Sequence, residues 1–245
     1  MKNLIIGDIH AMYDRMRNAL DKAGFDPDTD TLYSTGDLCD RGSGCIGTLK
    51  YLMGLLRFLP VAGNHDLWLY DALRSENPDE WWTEHNGGDV TWTALAEDDP
   101  GFRKKVMDWI GGFPLIRMTG RHIILHGGPG DYRSEQDLCP LSRLTIADTW
   151  LPQDRYGGIR LDPRTENVCW DREYIRQAIG EREPYRRPIP PFETTRTIIC
   201  GHTPLNRVFH SDAYHITCID TGSFVPEGYI TVMDLDTGEI FSSDN

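Results

Sequence analysis

Apolar and polar positions along this chain fall into blocks that keep ending in the same way. The segments "NLIIGDIH", "TLYSTGD", "RFLPVAGNHD", "HIILHGG", "TIICGHTP" and "ITCIDTG" are each a short run of β-branched or large apolar residues followed by a turn carrying Asp, His or Asn. Runs of that length, bounded by glycine and polar residues, predict buried strands. Between the first three lie stretches with apolar residues at three- and four-residue spacing, Met12 to Ala23 and Ile46 to Leu56. These predict amphipathic helices and a β-α-β-α-β opening. Beyond residue 195 the helical period gives way to closely spaced strand candidates near 196–200, 206–209, 214–219, 229–234 and 239–242, which predicts antiparallel pairing. An α/β first half and a mostly β second half suit two mixed β-sheets packed face to face with helices outside. Ligands bind such sheets at strand ends.

The middle of the chain departs from this rhythm. Residues 75–112 hold a Trp-rich piece, "EWWTEHNGGDVTWTAL", and a predicted helix from Phe102 to Ile110, while 127–168 is rich in Pro, Gly and charge. Both read as excursions over a site mouth. Trp81, Trp82, Trp92, Tyr132 and Tyr156 could then line a groove for an extended peptide, against the general tendency of Trp to pack inside. No repeat, low-complexity tract or linker divides the sequence, so residues 1–245 read as a single domain.

Composition narrows the partners. A 39% hydrophobic content is that of a globular chain with a real core, and the net charge of -13 opposes general binding to nucleic acid or an anionic membrane. An anionic substrate must therefore meet cations inside a site. The first apolar run, Leu4 to Ile6, stops at Gly7-Asp8, which leaves no room for a signal peptide, and no later run approaches a membrane span. The expectation is a cytoplasmic protein. The six cysteines are scattered without C-x-x-C spacing, which points to reduced thiols and not to a zinc knuckle.

The strand-end residues Asp8, His10, Asp37, Asn64, His126 and His202 are all hard or borderline metal ligands, and none is a thiolate. Oxygen and imidazole donors suit Mn²⁺, Fe or Zn²⁺. If the strands converge, these groups suffice for two divalent ions about 3.5–4 Å apart with one carboxylate shared between them. Asn64 would then ligate through its amide oxygen without adding charge. Each residue alone reads as a turn former, a helix cap or a satisfied core histidine. Six together, each after an apolar run, do not. In "RHIILHGG" both His122 and His126 face one side by period two, but only His126 ends the run. His85, His210 and His215 have no such setting and read as structural or solvated.

The ordered series "GDIH", "GDLCDRG", "GNHD", "HGG" and "GHTP", spanning residues 7 to 204, resembles the motifs of the phosphoprotein phosphatase family of binuclear metallophosphoesterases. It is close to the compact bacteriophage lambda type, which "WDRE" at residues 170–173 also resembles. The resemblance implies a calcineurin-like sandwich in which Asp8, His10 and Asp37 hold one metal, and Asp37, Asn64, His126 and His202 the other. It places Arg41 and Arg172 on the phosphoryl oxygens and pairs Asp40 with His65. Two positions depart from the family pattern. Ala11 stands where Gly is usual, at a turn that favours positive φ, and Asp66 stands where Glu is usual.

By that resemblance the expected activity is metal-dependent hydrolysis of phosphoserine, phosphothreonine or phosphotyrosine in proteins, with two divalent ions, Mn²⁺ foremost. A water bridging the metals attacks directly, the arginines spread the developing charge, and His65, oriented by Asp40, protonates the leaving alkoxide. Without the motifs, Arg41 reads as a surface ion pair and Arg172 as the start of an amphipathic helix. A second reading keeps the same core for hydrolysis of dinucleoside polyphosphates. A third, a metal-binding scaffold without activity, is opposed by intact Asp40, Arg41 and His65, which a scaffold does not need. Nothing in the sequence points to an oligomeric state.

Overall fold

The structure is a computed structural model describing residues 1–151, 160–181, 185 and 187–244. It opens with β1 (Asn3–Ile6), α1 (Tyr13–Lys22), β2 (Thr31–Ser34), α2 (Cys45–Met53) and β3 (Phe58–Pro60). Four helices follow: α3 (Asn64–Ser75), α4 (Glu80–His85), α5 (Gly88–Glu97) and α6 (Pro100–Gly111). Next come β4 (Ile116–Met118), β5 (His122–Leu125), α7 (Glu135–Leu138), the short pair β6 (Trp150–Leu151) and β7 (Arg160–Leu161), then α8 (Pro163–Cys169) and α9 (Glu173–Ile179). The remaining strands are β8 (Thr197–Cys200), β9 (Phe209–Ser211), β10 (Ile216–Cys218), β11 (Thr231–Asp234) and β12 (Ile240–Ser242).

Two five-stranded mixed sheets carry the architecture, ordered β12-β11-β1-β2-β3 and β4-β5-β8-β10-β9. Each has three parallel strands: β1-β2-β3, continued by antiparallel β11 and β12 beside β1, and β5-β8-β10, flanked on both sides by antiparallel β4 and β9. The two-residue period of a strand decides which side chains go where. Ile5, Met233, Ile124 and Ile199 join Val61 and Ile219 in a buried cluster fed by both sheets. Their neighbours Leu4, Ile6, Val232, Ile123, Leu125 and Ile198 turn the other way into the larger core with the helices. Parallel strands buried on both faces favour apolar residues at successive positions, which explains the runs "LII" in β1 and "IIL" in β5. Each fully buried Ile or Leu contributes on the order of 1.5–3 kcal/mol.

The predicted helices appear as α1, α2 and α6, the last beginning with Pro100 at its first turn, where the missing N–H has no cost. The strands depart from expectation in places. The strand expected at 206–209 is β9 at Phe209–Ser211, and β4 was not anticipated. The late strands also do not form one antiparallel unit: β10 runs parallel to β8, while β11 crosses to the other sheet and pairs antiparallel with β1. Periodicity reports burial on each face and carries no information about which strand is the neighbour. Among the described residues, no helix is long and apolar enough to cross a membrane.

Candidate metal centre

The carboxyl ends of the six parallel strands converge. Asp8 follows β1, Asp37 follows β2, Asn64 opens α3 just after β3, His126 follows β5, His202 follows β8 and Asp220 follows β10. The backbone here is held in unusual conformations. His10, Ala11, Asp37, Asp40, Arg41 and His202 all have positive φ, between 47° and 75°. Non-glycine residues hold that geometry at a cost of order 1–3 kcal/mol each, which only a well-determined surrounding structure sustains.

Asp37 lies at the centre. Its carboxylate forms one ligand group with His10 and His65 and a second with His126 and His202, the donor atoms of each group lying within 4.8 Å of one another. Asp37 Oδ2 is 3.6 Å from His10 Nε2 and 3.4 Å from His126 Nε2. Asn64 Oδ1 is 2.9 Å from His126 Nε2. The imidazoles are aimed from behind: His10 Nδ1 donates to the Cys39 carbonyl at 3.1 Å and His126 Nδ1 to the Thr35 carbonyl at 2.7 Å. Both leave Nε2 toward Asp37, the arrangement typical of ligating histidines. Asp8 accepts Thr35 Oγ1 at 2.9 Å on one oxygen and the His202 N–H at 2.8 Å on the other. Gly201 permits this approach, since a Cβ there would fall 1.9 Å from Asp8 Oδ1.

Charge in this pocket is out of balance. Asp8, Asp37, Asp66 and Asp220 are all buried within it. Burial, then the neighbouring Asp220, raises Asp8 well above the usual carboxylate range. Burial likewise lifts Asp220 to about 6 and, with Asp37 adding, Asp66 to about 7. Burial opposes ionisation of Asp37 too, yet His126 and His65 hold it well below the ordinary value. His126 itself is pushed up to about 10: burial works against its charge, but Asp37 and Asp8 outweigh it. Burial drives His10 and His202 the other way, toward the neutral form that ligates metal. Buried carboxylates massed against the neutral imidazoles of His10 and His202 fit divalent cations, whose charge would take the place of the proton that Asp37 and Asp8 hold on His126.

Beside this centre, His65 Nδ1 donates to Asp40 Oδ2 at 2.6 Å. Arg41 reaches between two rings, donating to His10 Nε2 at 3.1 Å and His65 Nε2 at 3.2 Å. Its guanidinium lies 3.9 Å over the Phe224 ring. Arg172 precedes α9 as its N-cap, half-buried, and its pKa falls through burial and then the nearby Arg176.

A family model described as calcineurin-like phosphoesterase matches residues 1–206. The chain belongs to that family. It is a metallophosphoesterase, and its relatives divide by substrate. A Salmonella typhimurium protein named serine/threonine-protein phosphatase 2 is 29% identical over 90% of this chain and 87% of its own. A symmetrical bis(5'-nucleosyl)-tetraphosphatase of Hamiltonella defensa is 34% identical over 52% of this chain, which spans 44% of that relative. The chain thus covers less than half the length of such tetraphosphatases. Among solved structures, a candidate diadenosine tetraphosphatase superposes with a TM-score of 0.61 at 17% identity, covering 98% of this chain and 92% of the other, a likeness of fold.

Both departures from the family motifs are accommodated in this metallophosphoesterase. Ala11 adopts φ 54°, in the left-handed region that Gly would favour. Asp66 accepts the N–H groups of Asp37, Gly63 and Leu38 despite its shorter side chain.

All six proposed ligands and Asp40, Arg41 and His65 meet in one buried region. Asp8 is absent from the two tight ligand groups, and His65 takes the place expected for it beside His10 and Asp37. His122 is half-buried at the far end of β5, His210 bonds Thr217 and Asp212, and His85 stacks on Trp81, all outside the centre. Sequence reasoning missed Asp220 and Thr35. Asp220 sat in plain view in "ITCIDTG", following a run of the same type; Thr35 offered no signal beyond its place between β2 and Asp37. The tryptophans follow the tendency to pack inside more than the groove they could have lined. Trp82 is fully buried, Trp92 packs half-buried against Arg103 and Trp81 is exposed, while Tyr156 lies outside the described residues.

Proposed function

We propose that this metallophosphoesterase hydrolyses phosphoserine and phosphothreonine monoesters in proteins, using two divalent ions with Mn²⁺ foremost. The observation that carries the reading is the pair Asp40–His65 at 2.6 Å. An alkoxide from a phosphorylated side chain is strongly basic and needs a proton as it leaves, whereas a nucleotide phosphate leaves readily without one. A buried imidazole backed by a carboxylate matches the first demand.

Asp8, His10 and Asp37 would hold one ion, and Asp37, Asn64, His126 and His202 the other, with Asp37 common to both. Bound ions supply positive charge beside the phosphoryl oxygens and acidify water. The chain's own residues do the rest. Arg41, braced by the Phe224 ring and turned toward His10 and His65, is set to take phosphoryl oxygens in its planar fork. Arg172 approaches the same centre from the head of α9. His65 keeps Nδ1 on Asp40 and directs Nε2 into the site, so once Arg41 turns from that nitrogen to the phosphoryl oxygens and the ring is protonated, Nε2 is the atom that passes a proton to the departing oxygen. His65 lies within ligand distance of Asp37, but its engagement with Asp40 favours the acid role.

The cleft next to Arg172 also supports a protein substrate. It encloses about 520 Å³ and is lined by Asp131, Glu166 and Glu173 against Arg133 and Arg187, with Trp170 on its wall. Asp171 is a fourth carboxylate on the lining, so acidic groups outnumber the two guanidiniums. A surplus of carboxylates repels additional phosphates and tolerates peptide. The rival substrate, a dinucleoside polyphosphate, is favoured by the relatives of that name. Phosphopeptides, dinucleoside polyphosphates and cyclic nucleotides assayed side by side on Mn²⁺-loaded protein distinguish the two. Phosphopeptide turnover well above the others is expected; an exclusive preference for dinucleoside polyphosphates overturns the reading.

A further inference from the structure

The Trp-rich segment leads to the same carboxylate that orients His65. Trp82, on α4, is fully buried, and its indole Nε1–H donates to Asp40 Oδ2 at 2.6 Å. That oxygen also receives His65 Nδ1–H, so a single carboxylate oxygen takes both donors. The other oxygen, Oδ1, is buried with no hydrogen-bond partner among the described residues. The orientation of the carboxylate is therefore set by an indole on one side and an imidazole on the other.

Neighbouring residues hold this arrangement from the same excursion. The Asp40 N–H donates to Thr91 Oγ1 on α5 at 2.9 Å, and the Arg41 N–H to the Gly87 carbonyl at 3.0 Å. Both Asp40 and Arg41 have positive φ, at 75° and 68°, conformations that need external support. Gly88 lies against the indole so closely that a Cβ there would fall 2.2 Å from Trp82 Cε2. The segment from α4 to α5 thus grips Asp40 and Arg41 through an indole, a hydroxyl and a carbonyl.

We propose that Trp82 is a positioning residue for proton transfer: by fixing Asp40 Oδ2 it sets the ring of His65 toward the leaving oxygen. Trp82 belongs to neither ligand group, and its N–H reaches the site through Asp40, so the role assigned to it runs through that carboxylate. The inference rests on the proposed role of His65 as the acid. Trp82→Phe removes the N–H and keeps most of the ring. Losing a hydrogen bond to a charged group typically costs about 10- to 100-fold. That loss is expected in kcat on a phosphoserine peptide, with KM and metal content unchanged and little effect on an activated aryl phosphate, whose leaving oxygen needs no proton.

The test compares Trp82→Phe, Asp40→Asn, their combination and His65→Asn on both substrates, with metals measured in each. The combined variant should be no slower than Asp40→Asn alone, because the two residues act along one path. If Trp82→Phe folds poorly, benzothienylalanine at position 82 replaces N–H by sulfur in nearly the same volume and must show the same ordering. Equal loss on both substrates in the position-82 variants, with His65→Asn still selective, overturns the inference alone. Equal loss in His65→Asn overturns the acid role and the inference with it.

Discussion

Asp66 Oδ2 accepts the backbone N–H of Asp37 at 2.9 Å, which ties the head of α3 to the carboxylate at the centre of the site. The same oxygen accepts Gly63 N–H at 2.9 Å, and Oδ1 accepts Leu38 N–H at 3.2 Å. Asp66 is a helix-capping residue and a clamp on the Asp37 loop at once. Asp37 N–H and Leu38 N–H have their acceptor here because the positive φ of Asp37 turns this loop toward α3.

Asp66→Ala is therefore expected to destabilise the protein by several kcal/mol, since three buried N–H groups lose their acceptor at about 1–3 kcal/mol apiece. Metal retention should fall with it, as the backbone on either side of Asp37 and Asn64 loosens. Chemical denaturation followed by elemental analysis checks both. Wild-type stability in this variant would show that water or another group replaces the carboxylate without loss.

Asp37 contributes to both ligand groups, so its removal should affect two ions together. Asp37→Asn is expected to carry clearly fewer than two metals per chain and to lose most activity. In the wild-type protein, exhaustive chelation should abolish activity, and Mn²⁺ should restore it better than Mg²⁺, which prefers oxygen ligands to imidazole. An unchanged metal count in Asp37→Asn would move the shared ligand elsewhere.

The role given to His65 makes a claim about leaving groups. His65→Asn should slow phosphoserine peptides by roughly 10²–10⁴-fold and an activated aryl phosphate much less. Asp40→Asn should follow the same order with a smaller loss, because it removes the orienting partner and leaves the imidazole. Both comparisons count only at wild-type metal content. Equal losses on the two substrates would assign His65 to phosphate binding or to the attacking water.

Arg41 and Arg172 differ in how firmly they are set. Arg41 is braced by Phe224 and directed at two imidazoles; Arg172 stands at the head of α9. Arg→Lys at either position should weaken catalysis with metals retained, since an ammonium cannot copy the planar fork. The loss should be larger at Arg41. Wild-type kinetics in Arg172→Lys would return that side chain to a purely helical role.

The central strands and their polar ends were legible because one physical demand wrote both. A parallel strand buried on both faces is mostly apolar, and the first ionisable residue after it marks where the chain reaches the ligand side. Asp8, Asp37, His126 and His202 all declare themselves this way. What was hidden depends on contacts distant in sequence. Trp82 and Asp40 are 42 residues apart, and nothing in "EWWTEH" separates the buried indole from the exposed Trp81. Likewise β11 pairs with β1 from the opposite end of the chain, a choice made by packing.

Ala11 offers a test of strain beside the site. Its φ of 54° lies in the left-handed region, which costs an L-residue about 1–2 kcal/mol relative to the right-handed form. Glycine would escape that cost. Against it stands the buried Ala11 methyl, which packs in the main core and is worth about 0.8 kcal/mol. The added backbone freedom of Gly in the unfolded chain takes back part of the remainder, about 0.4–1 kcal/mol. The terms nearly cancel, so Ala11→Gly should change stability by less than about 1 kcal/mol in either direction. Activity and metal content should hold, because His10 keeps its Cys39 contact and the Ala11 carbonyl still accepts the Gly44 N–H. Thermal denaturation of the metal-free and Mn²⁺-loaded forms reads the balance. A loss of several kcal/mol would mean that the methyl braces the His10 turn, and a comparable gain would mean that the strain at Ala11 is larger than its φ implies.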